Sequence, residues 1–141
     1  MHGGKPMRSL ILMAAAAIAT APAFADDWPD LSGTWTGTSR AVVIGGGDHY
    51  ERVDGSEARF VSADLTIEWQ RQDEGRYVGT ISSGGHVEPK LAVVASDRRT
   101  LRLADANGTS VGTIIDENTL EMCYAQVNPS MASCVIFTRQ R

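Results

Sequence analysis

The chain is poor in the residues that announce most chemistries. Only two cysteines occur in 141 residues, a poor zinc site by themselves and too few for a disulfide-dense scaffold. Aromatic residues make up 6% of the chain, with three tryptophans. No run of basic residues exists, which removes electrostatic support for binding nucleic acid. No Gly-x-Ser-x-Gly is present, and Gly45-Gly46-Gly47 is followed by neither Lys-Ser/Thr nor a helix, so it is no phosphate cradle. No window after Ala25 sustains helical periodicity over three turns. No catalytic residue is assigned and no enzyme is expected. No cofactor is expected either.

The N-terminus has a design of its own. Lys5 and Arg8 supply positive charge, Leu10 to Ala19 is apolar, and Pro22 leads to Ala23-Phe24-Ala25. These are the three parts of a secretory signal, with cleavage expected after Ala25. The apolar run is shorter than the roughly 20 residues that span a bilayer as a helix. The expected organisation is a signal peptide over 1–25 and one domain over 26–141, periplasmic or secreted, with no membrane association after cleavage. Removing Lys5 and Arg8 leaves 11 basic against 17 acidic residues in 116, a net charge of −6. That length supports one core. In an exported chain, Cys123 and Cys134 are expected to form a disulfide.

What remains is a succession of short β-forming runs separated by turn residues. They cover Gly33–Ile44, Val61–Gln72, Arg76–Ser82, Lys90–Ala95, Thr100–Ala104, Thr109–Ile115, Thr119–Gln126 and Ser133–Gln140. Gly84-Gly85 and Pro89 are read as breakers between the third and fourth, and Asn107-Gly108 as a type I′ hairpin turn. Alternation puts Leu65, Ile67 and Trp69 on one face, and Tyr77, Gly79 and Ile81 on another. Connections after the second run are mostly short, so neighbours pair antiparallel. The expected fold is all-β, an eight-stranded antiparallel up-and-down barrel. A two-layer sandwich is the alternative. A last hairpin turning between Asn128 and Pro129 sets Cys123 opposite Cys134, Met122 opposite Val135, Tyr124 opposite Ser133 and Leu120 opposite Phe137. The cysteines then staple the outside, while Met122 and Tyr124 face inward.

The segment Asp30-Leu31-Ser32-Gly33-Thr34-Trp35-Thr36-Gly37 resembles the first strand of the calycins, that is, lipocalins, fatty-acid-binding proteins and avidins. Phe137-Thr138-Arg139 is similar to their closing strand, and especially to the avidin ending. The resemblance implies a structural seam of Gly33, Trp35 and Arg139, where an indole meets a guanidinium as the barrel closes. It does not carry biotin. Thr36-Gly37 stands where avidins place Asn, and the fourth to eighth strands hold no tryptophan.

The inner face offers Trp69, Tyr77, Met122 and Tyr124 as ligand contacts if the interior is a pocket; the alternative is a barrel packed solid. The Gly45–Arg52 loop, carrying Asp48, His49, Tyr50 and Glu51, sits at a rim. There it gates a small-molecule ligand, His49 and Tyr50 contributing. Alternatively it inserts into an envelope protein partner, as an interaction or inhibitor element. His86 and Glu88, read as part of the connection between the third and fourth strands, share that rim with Asp48 and His49. No metal is expected, because no pair has helical ligand spacing. A third and least favoured use of His49 or His86 is acid–base catalysis.

Overall fold

The computed structural model describes residues 1 and 27–141. The expected signal peptide over 1–25 thus lies, apart from Met1, outside the described residues. Ten strand segments follow one another: β1 (Gly33–Thr38), β2 (Arg40–Ile44), β3 (Ala58–Val61), β4 (Asp64–Asp73), β5 (Arg76–Ser83), β6 (His86–Val94), β7 (Thr100–Ala104), β8 (Thr109–Asp116), β9 (Thr119–Gln126) and β10 (Met131–Arg139). No helix among the described residues is long and apolar enough to cross a membrane.

The ten segments make eight strands. β1 and β2 are one bent strand, and β3 and β4 are another, since β1 pairs with β4 and β2 pairs with β3. Both bend at the same place. Ser39 donates its N–H to the Ala63 carbonyl at 2.8 Å, and its hydroxyl oxygen accepts the Ala63 N–H at 3.1 Å. The run expected as one strand over 33–44 is therefore broken at Ser39, although Trp35, Ala41 and Val43 all still point inward. From β4 to β10 each strand pairs with the next, and β10 returns to β1 and β2. The sheet is closed: an eight-stranded antiparallel barrel in meander order. Closure removes the two terminal edge strands that an open sheet would expose.

Two sequence expectations need correction. Pro89 does not end a strand; it lies inside β6, opposite Thr80. The pairing of β6 with β7 begins only at Leu91, so on that side a proline removes no ladder bond. His86 and Glu88 accordingly belong to β6 and not to a loop. The Asn107-Gly108 turn is also not type I′, for neither residue has positive φ. Asp105 builds it instead, its Oδ1 accepting the N–H groups of Asn107 at 3.0 Å and Gly108 at 2.9 Å.

The last hairpin takes the register read from the sequence. Cys134 pairs with Cys123, Val135 with Met122, Ser133 with Tyr124 and Phe137 with Leu120. The Cys123–Cys134 disulfide joins the two strands across a sequence separation of 11. A loop of that size constrains the unfolded chain by about 2–3 kcal/mol. Replacing both cysteines by serine is expected to lower the unfolding free energy by that amount in a urea titration, with the fold retained. An unchanged midpoint would show that the bridge contributes nothing.

The interior divides along the axis. At the end where the chain enters and leaves, Leu31, Trp35, Ile67, Trp69, Tyr77, Leu101, Leu120 and Phe137 pack into a continuous core. The Trp69 ring fits because position 79 is glycine: a Cβ there would lie 2.8 Å from the indole and 2.2 Å from the Glu68 carbonyl oxygen. At the other end, a smaller cluster of Ala41, Val43, Tyr50 and Met131 supports a polar mouth.

Candidate functional site

Four connections ring the mouth: the long loop after Ile44, the Gly84-Gly85 turn, the Asp105–Gly108 turn and the Val127–Ser130 turn. Because successive side chains alternate across a strand, β6 sends His86, Glu88, Lys90, Ala92 and Val94 inward, one above the next. The lower two join the core. The upper three form a column of ionisable groups inside the barrel wall.

Lys90 is the deepest of these. Its Nζ donates to Asp105 Oδ2 at 2.5 Å, with only 1% and 2% of the two side chains exposed. The ammonium also lies 4.9 Å from the centre of the Tyr124 ring. Burial pushes the Asp105 carboxyl up. The hydrogen bond and charge of Lys90, with the N–H groups of Asn107 and Gly108, outweigh it and hold the group below its ordinary value. The Tyr124 hydroxyl lies 2.8 Å from Gln126 Oε1 and 3.3 Å from Asp105 Oδ1. Burial first, then the charges of Asp105 and Glu88, raise its pKa, so the phenol stays protonated.

The Gly45–Arg52 loop folds back over this mouth. Gly45 and Gly46 take positive φ, and a Gly47–Tyr50 bridge puts Asp48 and His49 at its tip. Each side chain of the tip is tied to a different part of the barrel. The Tyr50 hydroxyl is 2.8 Å from Ser39 Oγ, at the strand bend. Asp48 Oδ2 accepts from Asn107 Nδ2 at 2.6 Å. His49 lies between Ser83 Oγ, 2.6 Å from its Nδ1, and Glu88 Oε1, 3.0 Å from its Nε2. His86 stands edge-on to His49 with ring centres 5.0 Å apart. Its Nε2 is 3.8 Å from Asp48 Oδ2 and 3.9 Å from Glu88 Oε2.

Under the loop lies a cavity of about 30 Å³, enough for roughly one or two water molecules. Leu65, Ile81, Met122, Met131 and Val135 give it an apolar floor, and Lys90, Asp105, Tyr124 and Glu88 give it polar walls. Of the residues singled out from the sequence, His49, Tyr50, Met122 and Tyr124 line this cavity. Trp69 and Tyr77 do not. They point inward as expected, but at the opposite end, where their rings are 6.0 Å apart and the Tyr77 hydroxyl donates to the Pro29 carbonyl. Gly33, Trp35 and Arg139 lie at that end too, and Trp35 pairs directly with Arg139 at the closing seam. Sequence reading missed Lys90 and Asp105. Beginning the fourth strand at His86 would have exposed Lys90, since inward parity then puts it between Glu88 and Ala92.

No protein-family model and no curated protein matches the chain. Among solved structures, a redesigned β-barrel is similar over 79% of this chain and 92% of its own, with a TM-score of 0.51 at 10% identity. The likeness is one of fold alone. This chain is an eight-stranded β-barrel. Its meander order and the closing β1–β10 contact agree with that architecture.

Proposed function

We propose that the protein is an exported, calycin-like barrel that binds a small apolar or aromatic molecule at its mouth, beneath the Gly45–Arg52 loop. One observation carries this reading: a cavity with an apolar floor and ionisable walls lies at the mouth, beneath a glycine-hinged loop. Ligand sites are typically apolar concavities with a few fixed polar groups, and this one has that make-up. With the loop in place the cavity holds only solvent-sized molecules, so a larger ligand enters by lifting the loop at Gly45–Gly47. Asp48, His49 and Tyr50 all bond to their own barrel, which favours a gate over an element that inserts into a partner.

The test is a titration of the full chain, without affinity tag, with an anilinonaphthalene sulfonate dye, alongside native mass spectrometry of protein from its own host. Saturable dye emission or a co-purifying small molecule is expected. Met122→Trp fills the cavity floor and is expected to weaken dye binding at least tenfold, with overpacking costing about 1–3 kcal/mol of stability. Absence of saturable binding to the wild type, or equal binding by a folded Met122→Trp protein, would remove this reading.

A further inference from the structure

We infer that His49, His86 and Glu88 form a binding site for a divalent transition-metal ion of the zinc type, with Asp48 beside the fourth coordination position. The ion would latch the Gly45–Arg52 loop to strand β6. The candidate ligand atoms of His49, His86 and Glu88 all lie within 4.8 Å of one another. Two imidazoles and a carboxylate are a donor set that borderline divalent ions favour.

The spacing is the main argument. Ligands about 2.0–2.1 Å from a tetrahedral ion are separated from one another by about 3.4 Å. Here the His49 Nε2–Glu88 Oε1 separation is 3.0 Å, His86 Nε2–Glu88 Oε2 is 3.9 Å and His86 Nε2–Asp48 Oδ2 is 3.8 Å. The two longer separations exceed hydrogen-bond reach, yet suit groups that share a central ion.

A second observation is independent of that spacing. His86 Nε2 is shielded from solvent and has no hydrogen-bond partner, although carboxylate oxygens stand on two sides of it. A buried ring nitrogen left unsatisfied is costly, and a bound cation satisfies it together with both carboxylates. The outer partners are also present. Ser83 Oγ lies 2.6 Å from His49 Nδ1 and can hold that ring with Nε2 facing the ion, while Asn107 Nδ2 steadies Asp48.

The backbone explains why these residues meet. His86 and Glu88 are two apart on β6 and so share its inner face. Ser83 pairs with His86 across the Gly84-Gly85 turn, and so sits beside the tip of the incoming loop. His49 and Asp48 come from that loop and His86 and Glu88 from the wall, so one ion would bridge the moving part to the fixed part. The site stands whether or not the cavity takes an organic ligand. Failure of the dye titration therefore leaves it untouched.

The experiment uses chelator-stripped full chain without affinity tag, titrated with zinc chloride by calorimetry. One ion per chain is expected, with a dissociation constant in the micromolar range or tighter. His86→Gln and Glu88→Gln keep side-chain size and are expected to weaken zinc binding at least tenfold each. In the unaltered protein, imidazole NMR signals of both His49 and His86 should shift together on adding one equivalent of zinc, a readout that needs no variant. Absence of stoichiometric binding would overturn the proposal. So would a pair of imidazole signals that ignore zinc, or zinc affinity unchanged in His86→Gln.

Discussion

Replacing Lys90 by alanine is expected to lower the unfolding free energy by about 3–5 kcal/mol, because it strands the buried Asp105 carboxylate without its counter-charge. The Lys90 and Asp105 side chains are all but inaccessible to water, and their contact is 2.5 Å. After the substitution, Asp105 keeps the N–H groups of Asn107 and Gly108, which belong to its own turn. It loses the ammonium that faces it. The double variant Lys90→Met/Asp105→Asn should recover most of the loss. Neither position then carries a charge, and the amide oxygen introduced in place of the carboxylate can still accept from the turn. A buried ion pair is weak evidence of net stability; its disruption from one side is what costs. Urea unfolding followed by tryptophan fluorescence decides the matter, because Trp28, Trp35 and Trp69 all sit at the far end of the barrel. A Lys90→Ala protein as stable as the wild type would show that the pair is solvated in solution.

The same pair predicts an acid response of defined sign. The Asp105 carboxyl titrates below its ordinary value in the folded protein. A depressed carboxyl contributes stability that is complete above its unfolded pKa of about 3.9 and is lost as pH falls through the folded value. The stability gap between wild type and Lys90→Ala should therefore be widest near neutrality and narrow as the pH falls into the acid range, where the buried carboxyl of the variant takes up a proton. A gap that widens in acid would contradict this assignment.

Much of this architecture could be read in advance because it depends on parity. A period of two fixes which side chains enter a barrel, and the Cys123–Cys134 pairing fixes the last hairpin's register. The inward positions of Trp69, Tyr77, Met122 and Tyr124 followed. So did the meeting of the long loop with the Gly84-Gly85 turn, since alternate connections of a meander share an end. Height along the axis is another matter. It depends on how far each strand is staggered against its neighbour, which period-two patterning leaves open. Parity alone therefore groups Trp69 and Tyr77 with Met122 and Tyr124, although the two pack at the other end of the barrel, away from the mouth cavity. Lys90 was hidden by a different error, since Pro89 looked like a strand break while the adjoining edge of β6 has no partner to lose. The cluster of His49, His86 and Glu88 lacks helical ligand spacing, but on a strand the relevant spacing is two. His86-Val87-Glu88 has that spacing.

At the opposite end, Trp35→Ala is expected to cost about 3–5 kcal/mol, as for other large-to-small substitutions in a packed core. Trp35 is fully buried, and its indole N–H donates to the Leu31 carbonyl at 2.9 Å. Arg139 lies 4.5 Å from its ring centre and donates to the carbonyls of Ser32 at 2.7 Å, Asp30 at 2.5 Å and Glu117 at 3.1 Å. One guanidinium thereby joins the segment entering β1 to the turn between β8 and β9. Lysine cannot reproduce that fork, so Arg139→Lys should cost about 1–3 kcal/mol despite keeping the charge. A double-mutant cycle of Trp35→Leu with Arg139→Met should return a coupling of about 0.5–2 kcal/mol. A coupling of zero would mean that indole and guanidinium stabilise the seam independently. Neither seam residue lines the mouth cavity, so in protein that remains folded Arg139→Lys should leave dye and zinc affinities as they were. The larger apolar core lies where the chain closes on itself. The buried Lys90–Asp105 pair and the His49, His86 and Glu88 cluster lie at the other end, beneath a loop whose polar tip is bonded to the barrel.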